Sequence, residues 1–316
     1  MDGETYLARK RELDLRYCDG EADRRWVRPE YAWVGCPFCG PGVRTETYML
    51  PALARGLTLV RCVACGLVYA EPRLSREALD ERATNALHFQ YYQDSFTGPP
   101  DPSSAAPEVE FIRRTMGAAW RPNLRALEVG CAGGVFLAAL AAAGVQATGV
   151  DANEASVAQC RRYGLDARVG FFRDDEFTME SYDVIVFRES LYMLFDVRAV
   201  LALARRLLAP GGLLYVRVFD VESAAFQLST RAAAGINMLD VPVAFSRASV
   251  ERVLQTAGFQ VVARTSASDP LLADLALGPA TGKSSVVRRI IARAGSELLS
   301  VLGRTRNFIV IAQREK

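Results

Sequence analysis

From about residue 110 onward, short apolar runs alternate with segments whose apolar residues recur every three or four positions. The runs RALEV (125–129), QATGV (146–150), DARV (166–169), YDVIVF (182–187), GLLYVRVF (212–219), FQVVART (259–265) and RNFIVIAQ (306–313) read as strands. Between them, the stretches around 134–143, 153–163, 197–208 and 247–257 carry the helical period. PGG at 210–212 ends one helix and starts the next strand, Ser246 stands where an N-cap belongs, and Gly258 where a helix stops. Apolar strands alternating with amphipathic helices imply an α/β fold with a parallel, doubly wound sheet. No internal repeat is visible.

The pattern differs ahead of residue 110. Residues 1–30 are a polar, charge-mixed arm, 31–75 hold two cysteine pairs, and 76–109 read as a helical connector and linker. In the connector, SREALDERATNALHFQ has a helical reading, and the proline-rich stretch 98–108 is the predicted linker to a main domain at 110–316. An insertion at 266–305, rich in leucine, alanine and arginine, is expected to form helices beside a substrate mouth or at a homodimer contact. Its Lys283, Arg288, Arg289 and Arg293 are spaced as on a solvated helical face. The uncharged run 129–150 is long enough to cross a bilayer, but its glycine breaks would leave backbone groups unpaired in lipid, so no membrane span is expected.

Composition narrows the setting. Half the residues are hydrophobic, 23% are charged and the net charge is +2, a soluble globular balance with no global pull toward nucleic acid or anionic membrane. The opening residues are charged throughout, so no signal peptide is read there, and seven cysteines then point to a reducing, cytoplasmic compartment. Cys18, Cys131 and Cys160 are unpaired in sequence and read as inert.

CPFCG at 36–40 and CVACG at 62–66 are the first chemistry to stand out. Cys36, Cys39, Cys62 and Cys65 supply four soft ligands in zinc spacing. Four thiolates close the coordination shell, so the expected zinc is structural. Gly40 and Gly66 follow each pair, where a left-handed turn can aim backbone N–H groups at the sulfurs. The intervening VRTETYML and LTLVRC read as strands of a short ribbon.

The second is LEVGCAGGVF, a strand running through a tight turn into a helix. Gly130 and Gly134 remove side chains where backbone must approach a ligand, and Ala132 is nearly as small. About twenty residues on, GVDAN places Asp151 at the adjacent strand tip, where a carboxylate can accept both hydroxyls of a ribose. A nicotinamide loop would read GxGxxG; this one reads acid-x-Gly-x-Ala-x-Gly from Glu128.

With the turn, the second-strand acid and YDVIV together, residues 110–313 resemble a class I S-adenosylmethionine-dependent methyltransferase. The resemblance implies a seven-stranded sheet with a final antiparallel strand. It also implies a cofactor site drawn from Glu128, Gly130, Ala132, Gly134, Asp151 and Ala152, with Gly170 and Phe171 on the adenine side. Ala132 departs from the family's usual central glycine, and VGFFRDDEF lacks the usual acid directly after its glycine. Tyr91 and Tyr92 match a tyrosine-rich segment that closes over the methionine moiety in relatives of this build.

The fourth strand delivers RESLYML to the cofactor edge, where many sugar- and metabolite-modifying relatives have Leu-Glu-His and this chain has Leu191, Tyr192 and Met193. Glu189 and Tyr192 are therefore the local catalytic candidates, Arg188 is available for an anionic group and is counted among the cofactor-binding residues, and His88, the one histidine, is the remaining candidate base. The CxxCGLVYAEP phrasing resembles small-molecule methyltransferases of glycan and natural-product pathways. The expected reaction is methyl transfer to a sugar, glycan precursor or secondary metabolite, with oxygen favoured. The alternatives are an RNA base methyltransferase reading RNA through the ribbon, and a non-catalytic cofactor-binding scaffold. Against RNA, residues 31–80 balance Arg44, Arg55, Arg61, Arg73 and Arg76 against Glu46, Glu71, Glu77 and Asp80. No nucleic-acid partner is expected.

Overall fold

The computed structural model describes residues 31–49, 58–84, 98–173, 177, 179, 182–223, 226, 238, 241–267 and 307–315. The 1–30 arm, His88, Tyr91, Tyr92, Cys18 and nearly all of the 266–305 insertion lie outside the described residues. Two units are present, one of Met1–Ser75, Phe219–Ser249 and Thr265–Ile309, the other of Arg76–Val218, Val250–Arg264 and Val310–Lys316.

The first unit opens with β1 (Tyr31–Ala32), β2 (Thr45–Thr47), β3 (Leu59–Cys62), β4 (Val68–Ala70) and β5 (Arg73–Leu74). β1 pairs antiparallel with β5, and β2, β3 and β4 form an antiparallel meander. The ribbon read at 31–75 is joined by a further strand: β11 (Val243–Ala244), from far along the chain, pairs with β4 to make a four-stranded sheet. The later segment is tied in by Arg61 to Glu222 at 2.6 Å, with the Arg61 guanidinium 4.7 Å over the Tyr48 ring, and by Arg247 to Asp220 at 3.1 Å.

The second unit carries the alternating pattern. α1 (Arg76–Thr84) is followed by a 3-10 turn at Pro102–Ser104, α2 (Ala106–Met116), β6 (Arg125–Val129), α3 (Val135–Ala142), β7 (Gln146–Asp151), α4 (Glu154–Arg162) and β8 (Ala167–Val169). Next come β9 (Tyr182–Arg188), a 3-10 turn at Leu191–Met193, α5 (Val197–Leu207) and β10 (Leu208–Phe219). After β11 the chain continues as α6 (Arg247–Thr256), β12 (Phe259–Ala267) and β13 (Asn307–Arg314). The sheet order is β12-β13-β10-β9-β6-β7-β8, with β10, β9, β6, β7 and β8 mutually parallel. At the end of β13, Gln313 donates to Gly211 O, Arg314 to Leu208 O, and the Glu315 amide to Gly258 O. That sets the end of β13 beside the starts of β10 and β12, so the last strand runs against both neighbours.

Local sequence accounts for the helix ends. Asp196 accepts from the Ala199 amide to cap α5, whose Val197, Val200, Leu201, Ala204 and Leu207 form one buried stripe. Ser246 and Ser249 bond each other's amides reciprocally to start α6. In the sheet centre Ile185, Val186 and Phe187 are fully buried, each contributing roughly 1.5–3 kcal/mol of transfer free energy. The strand after PGG begins earlier than the turn suggests, at Leu208, and its register shifts between Leu208 and Leu213. The predicted linker at 98–108 needs correction as well. Asp101 caps the 3-10 turn through Ser103, and α2 already begins at Ala106 with Pro107 in its first turn, where proline's missing N–H costs nothing.

Candidate functional site

The order β9-β6-β7-β8 places the β6 turn between parallel neighbours, so the tips of β6, β7 and β9 share one carboxyl edge. The turn folds back on β7 through bonds from the Gly130 and Cys131 amides to Val150 O. Gly130 has φ 74° and Gly134 φ 79°, and both are locked by space as well as torsion. A Cβ on Gly130 would sit 2.7 Å from Ser190 Cβ, and one on Gly134 would sit 2.7 Å from Leu165 Cδ1. Ala132 takes φ 44° with a side chain, so the family's usual glycine here answers a real torsional demand.

Asp151 ends β7 with its carboxylate clamped by two amides: Ala132 N donates to Oδ2 at 2.9 Å and Asn153 N to Oδ1 at 2.9 Å. This ties the turn to the loop after β7 and fixes the acid at the edge. Asn153 caps α4 by accepting from the Ala155 and Ser156 amides. Ala152 lies in that loop, half-buried. Further along the edge, the Gly170 amide donates to Asp151 O, and Phe171 lies 4.2 Å beneath the Arg173 guanidinium. Beneath the turn, Cys131 and Cys160 are brought together as hydrogen-bonded buried thiols, and Cys160 Sγ donates to Ala132 O at 3.3 Å.

Glu128 is buried in β6, one residue ahead of Val129 and the turn, and its Oε2 has no hydrogen-bond partner among the described residues. Burial pushes its carboxyl well above the usual carboxylate range, with Arg188 the main opposing influence. An acid oxygen without a partner among the described residues, a turn closed to side chains at Gly130 and Gly134, and a fixed edge carboxylate fit the ammonium and ribose of S-adenosylmethionine.

The β9 tip holds the other candidates. Glu189 has φ 62°, an outlying torsion for a side-chain-bearing residue, and it pairs with Arg217 Nη2 at 3.0 Å. Tyr192 lies in the following 3-10 turn. Arg188, read as available for an anionic group, is paired with Glu108 of α2, which accepts from its Nε at 3.2 Å and Nη2 at 3.2 Å. The same carboxylate accepts from Arg217 Nη1 at 2.6 Å and from the Tyr215 hydroxyl. Burial opposes the ionised form of Glu108, but Arg217 and Arg188 outweigh it and hold the carboxyl below its usual range. Burial and the Glu108 charge push the Tyr215 phenol up, so it serves as a neutral donor.

Glu108, Tyr215 and Arg217 are the residues that sequence reading missed. A charge inside the otherwise apolar run GLLYVRVF was the available signal for Arg217, and Pro107 at a helix start was the signal for Glu108.

In the first unit, the Sγ atoms of Cys36, Cys39, Cys62 and Cys65 all lie within 4.8 Å of one another. Ligands about 2.3 Å from a tetrahedral zinc stand about 3.8 Å apart, so the four thiols fit that ion. The hydrogen bond between Cys65 and Cys36 pulls the Cys36 thiol down and raises that of Cys65. Gly40 and Gly66 are left-handed, with φ 87° and 80°, but their amides bond Cys36 O and Cys62 O rather than sulfur. The N–H groups facing sulfur come instead from Phe38 and Cys39 toward Cys36 and from Leu67 toward Cys65.

A family profile described as a methyltransferase domain matches residues 100–264. Among curated proteins, the ubiquinone biosynthesis O-methyltransferase of Hahella chejuensis is 30% identical over 112 residues, covering 33% of this chain and 47% of the relative. That of Bordetella bronchiseptica is 32% identical over 123 residues, 37% of this chain and 50% of the relative. The chain thus spans about half the length of the curated relatives it matches. A crystal structure of a SAM-dependent methyltransferase from Archaeoglobus fulgidus aligns with TM-score 0.50 at 16% identity, covering 72% of this chain and all of that one, and supports the fold. The chain belongs to the methyltransferase-domain family, with a class I S-adenosylmethionine-dependent domain built on the carboxyl edge just described.

Proposed function

We propose that the protein transfers a methyl group from S-adenosylmethionine to a small-molecule acceptor, a sugar, glycan precursor or secondary metabolite, with oxygen the favoured atom. The observation that carries this reading is the Asp151 clamp: one carboxylate held by Ala132 N and Asn153 N beside a turn with no room for a side chain at Gly130 or Gly134. The O-methyltransferase names of the curated relatives favour oxygen. Bound, the cofactor supplies an electrophilic methyl carbon to an acceptor oxygen in line and leaves as the thioether. Glu189 stands at the β9 tip to accept the hydroxyl proton, its carboxylate steadied by Arg217, and Tyr192 is placed to orient the acceptor. Cys36, Cys39, Cys62 and Cys65 hold a structural zinc with no open coordination position.

Titration with S-adenosylhomocysteine tests the cofactor site. Asp151→Ala should weaken binding about tenfold or more, because two charge-assisted bonds, one to the turn at Ala132 and one to the loop after β7 at Asn153, are lost. Unchanged affinity would remove Asp151 from the site. Mass spectrometry after incubation with S-adenosylmethionine and pools of hydroxylated sugars or phenols tests the acceptor class, and turnover confined to RNA would overturn it. Of the arginines in residues 31–80, Arg61 pairs with Glu222 at 2.6 Å and Arg76 lies 4.0 Å from Asp196. Among the described residues no helix is long and apolar enough to cross a membrane.

A further inference from the structure

Cys131 follows Gly130 in the glycine turn, and Cys160 lies in the last turn of α4. Both are buried, and their sulfurs are bonded to each other in a cluster with Leu137, Val157 and Ala167. Two glycines make the room. A Cβ on Gly149 of β7 would sit 2.7 Å from Cys131 Sγ, and one on Gly134 would sit 2.9 Å from Cys160 Sγ. The Cys160 thiol also donates to Ala132 O at 3.3 Å, while the Ala132 amide donates to Asp151 at 2.9 Å. Ala132, at φ 44°, is thus held in a costly torsion from both sides, by a carboxylate at its N–H and a thiol at its C=O. The bond between the sulfurs lowers the Cys160 thiol and raises that of Cys131, with burial adding to the rise, so Cys160 is the readier nucleophile.

We propose that Cys131 and Cys160 are a site of reversible oxidation: a hydroperoxide joins them as a disulfide, and the bond weakens cofactor binding by loosening Ala132. The effect on binding rests on the cofactor reading above. The Cys160 sulfur attacks one peroxide oxygen; the S–O bond forms, the O–O bond breaks, and the departing oxygen leaves as water with the thiol proton. The Cys131 sulfur then attacks the resulting sulfenic acid; the S–S bond forms, the S–O bond breaks, and the hydroxyl leaves as water with the Cys131 proton. Two electrons pass from the sulfurs to one peroxide. The disulfide has no S–H, so Ala132 O loses its donor, and closing the sulfurs from contact to about 2.05 Å draws the turn toward α4. Both sulfurs are buried, so hydrogen peroxide reaches them more readily than a bulky oxidant such as glutathione disulfide. Where thiols are otherwise kept reduced, such a bond is transient and serves sensing rather than stability.

The test exposes the protein to hydrogen peroxide and follows a peptide map together with affinity for S-adenosylhomocysteine. No lysine or arginine stands between Arg125 and Arg161, so trypsin releases Cys131 and Cys160 in one peptide, 126–161, that holds no other cysteine. That peptide should become lighter by two hydrogens while S-adenosylhomocysteine affinity falls about fivefold, and dithiothreitol should restore both. Cys160→Ser keeps a hydroxyl donor for Ala132 O, so it should bind as reduced wild type does and be indifferent to peroxide. A peptide that stays in the dithiol form, or that gains oxygen in place of losing hydrogen, would overturn the proposal. So would a disulfide that leaves affinity unchanged, or a peroxide effect on affinity that persists in Cys160→Ser. The reduced and oxidised wild type can be compared even where the variant fails to fold. Reduced wild type that does not bind S-adenosylhomocysteine would instead overturn the cofactor reading, with the peptide map still deciding whether the disulfide forms.

Discussion

At the scale of single residues, Glu128 is a costly choice for the fold. Its carboxyl is sealed in β6 with Oε2 unpartnered, and burial raises its folded-state pKa well above the unfolded value, against Arg188 and with Cys160, Asp151 and Glu108 adding to the rise. The sign follows from proton counting. Between the unfolded and folded pKa the folded protein holds the proton that the unfolded chain has lost, so raising pH through that window lowers stability. Glu128→Gln, which keeps the shape and removes the charge, should therefore melt higher than wild type near neutral pH and match it near pH 4. Thermal unfolding across that range checks this, and a variant that melts lower throughout would show that the ionised acid is needed by the fold. Ligand reverses the balance, since an ammonium beside Glu128 favours the carboxylate. Binding of S-adenosylhomocysteine should release protons, read as a dependence of the calorimetric heat on buffer ionisation enthalpy, and Glu128→Gln should abolish that dependence. That an acid stands ahead of the turn was legible in the sequence. That it is orphaned was not, because satisfaction of a buried oxygen depends on neighbours brought from β9 and α2.

At the scale of elements, α1 shows what nine residues can do. Arg76 lies 4.0 Å from Asp196 and its guanidinium 4.7 Å over Phe195, in the segment after β9. Asp80 pairs with Arg173 after β8, and Ala83 O accepts from Asn153 Nδ2 after β7. α1 therefore straps the carboxyl edge over β6 and β7, held by pairs that are exposed and worth under about 1 kcal/mol each. Asp80→Ala should raise the release rate of S-adenosylhomocysteine several-fold while changing affinity about threefold or less. Stopped-flow displacement measures this, and an unchanged rate would mean that α1 does not gate release. The element boundaries were readable where one segment's own period decides them, as in YDVIVF and in the α5 stripe. They were not readable where a distant segment completes the structure. The linker reading of 98–108 hid Glu108 because its partners, Arg188 and Arg217, are supplied by strands some eighty and more residues later. Nothing within 31–75 announces β11 as the outer neighbour of β4.

At the scale of the molecule, the thiols and the cofactor cradle belong to different units, and this separates their chemistry experimentally. Glu128, Gly130, Gly134, Asp151 and Arg188 all lie within Arg76–Val218, and all four clustered thiols within Met1–Ser75. The first unit has a thin core: β2, β3, β4 and β11 are short, and the Cys36 and Cys65 sulfurs meet at 3.4 Å where a larger domain would place packed side chains. Small lobes of this kind depend on the metal, which in isolated zinc domains supplies on the order of 10 kcal/mol. The second unit has its own seven-stranded sheet and needs no metal to close its core. Cys36→Ser, or exhaustive chelation, should therefore release about one zinc equivalent and expose β2 to β4 to amide exchange, with β6, β7 and β9 staying protected. S-adenosylhomocysteine affinity should survive within about threefold, because no cradle contact is a thiol ligand or lies on the strands that carry them. Collapse of cofactor binding together with zinc loss would mean that the two units form a single cooperative fold. Full amide protection of β2 to β4 after chelation would mean that the metal contributes nothing to the lobe.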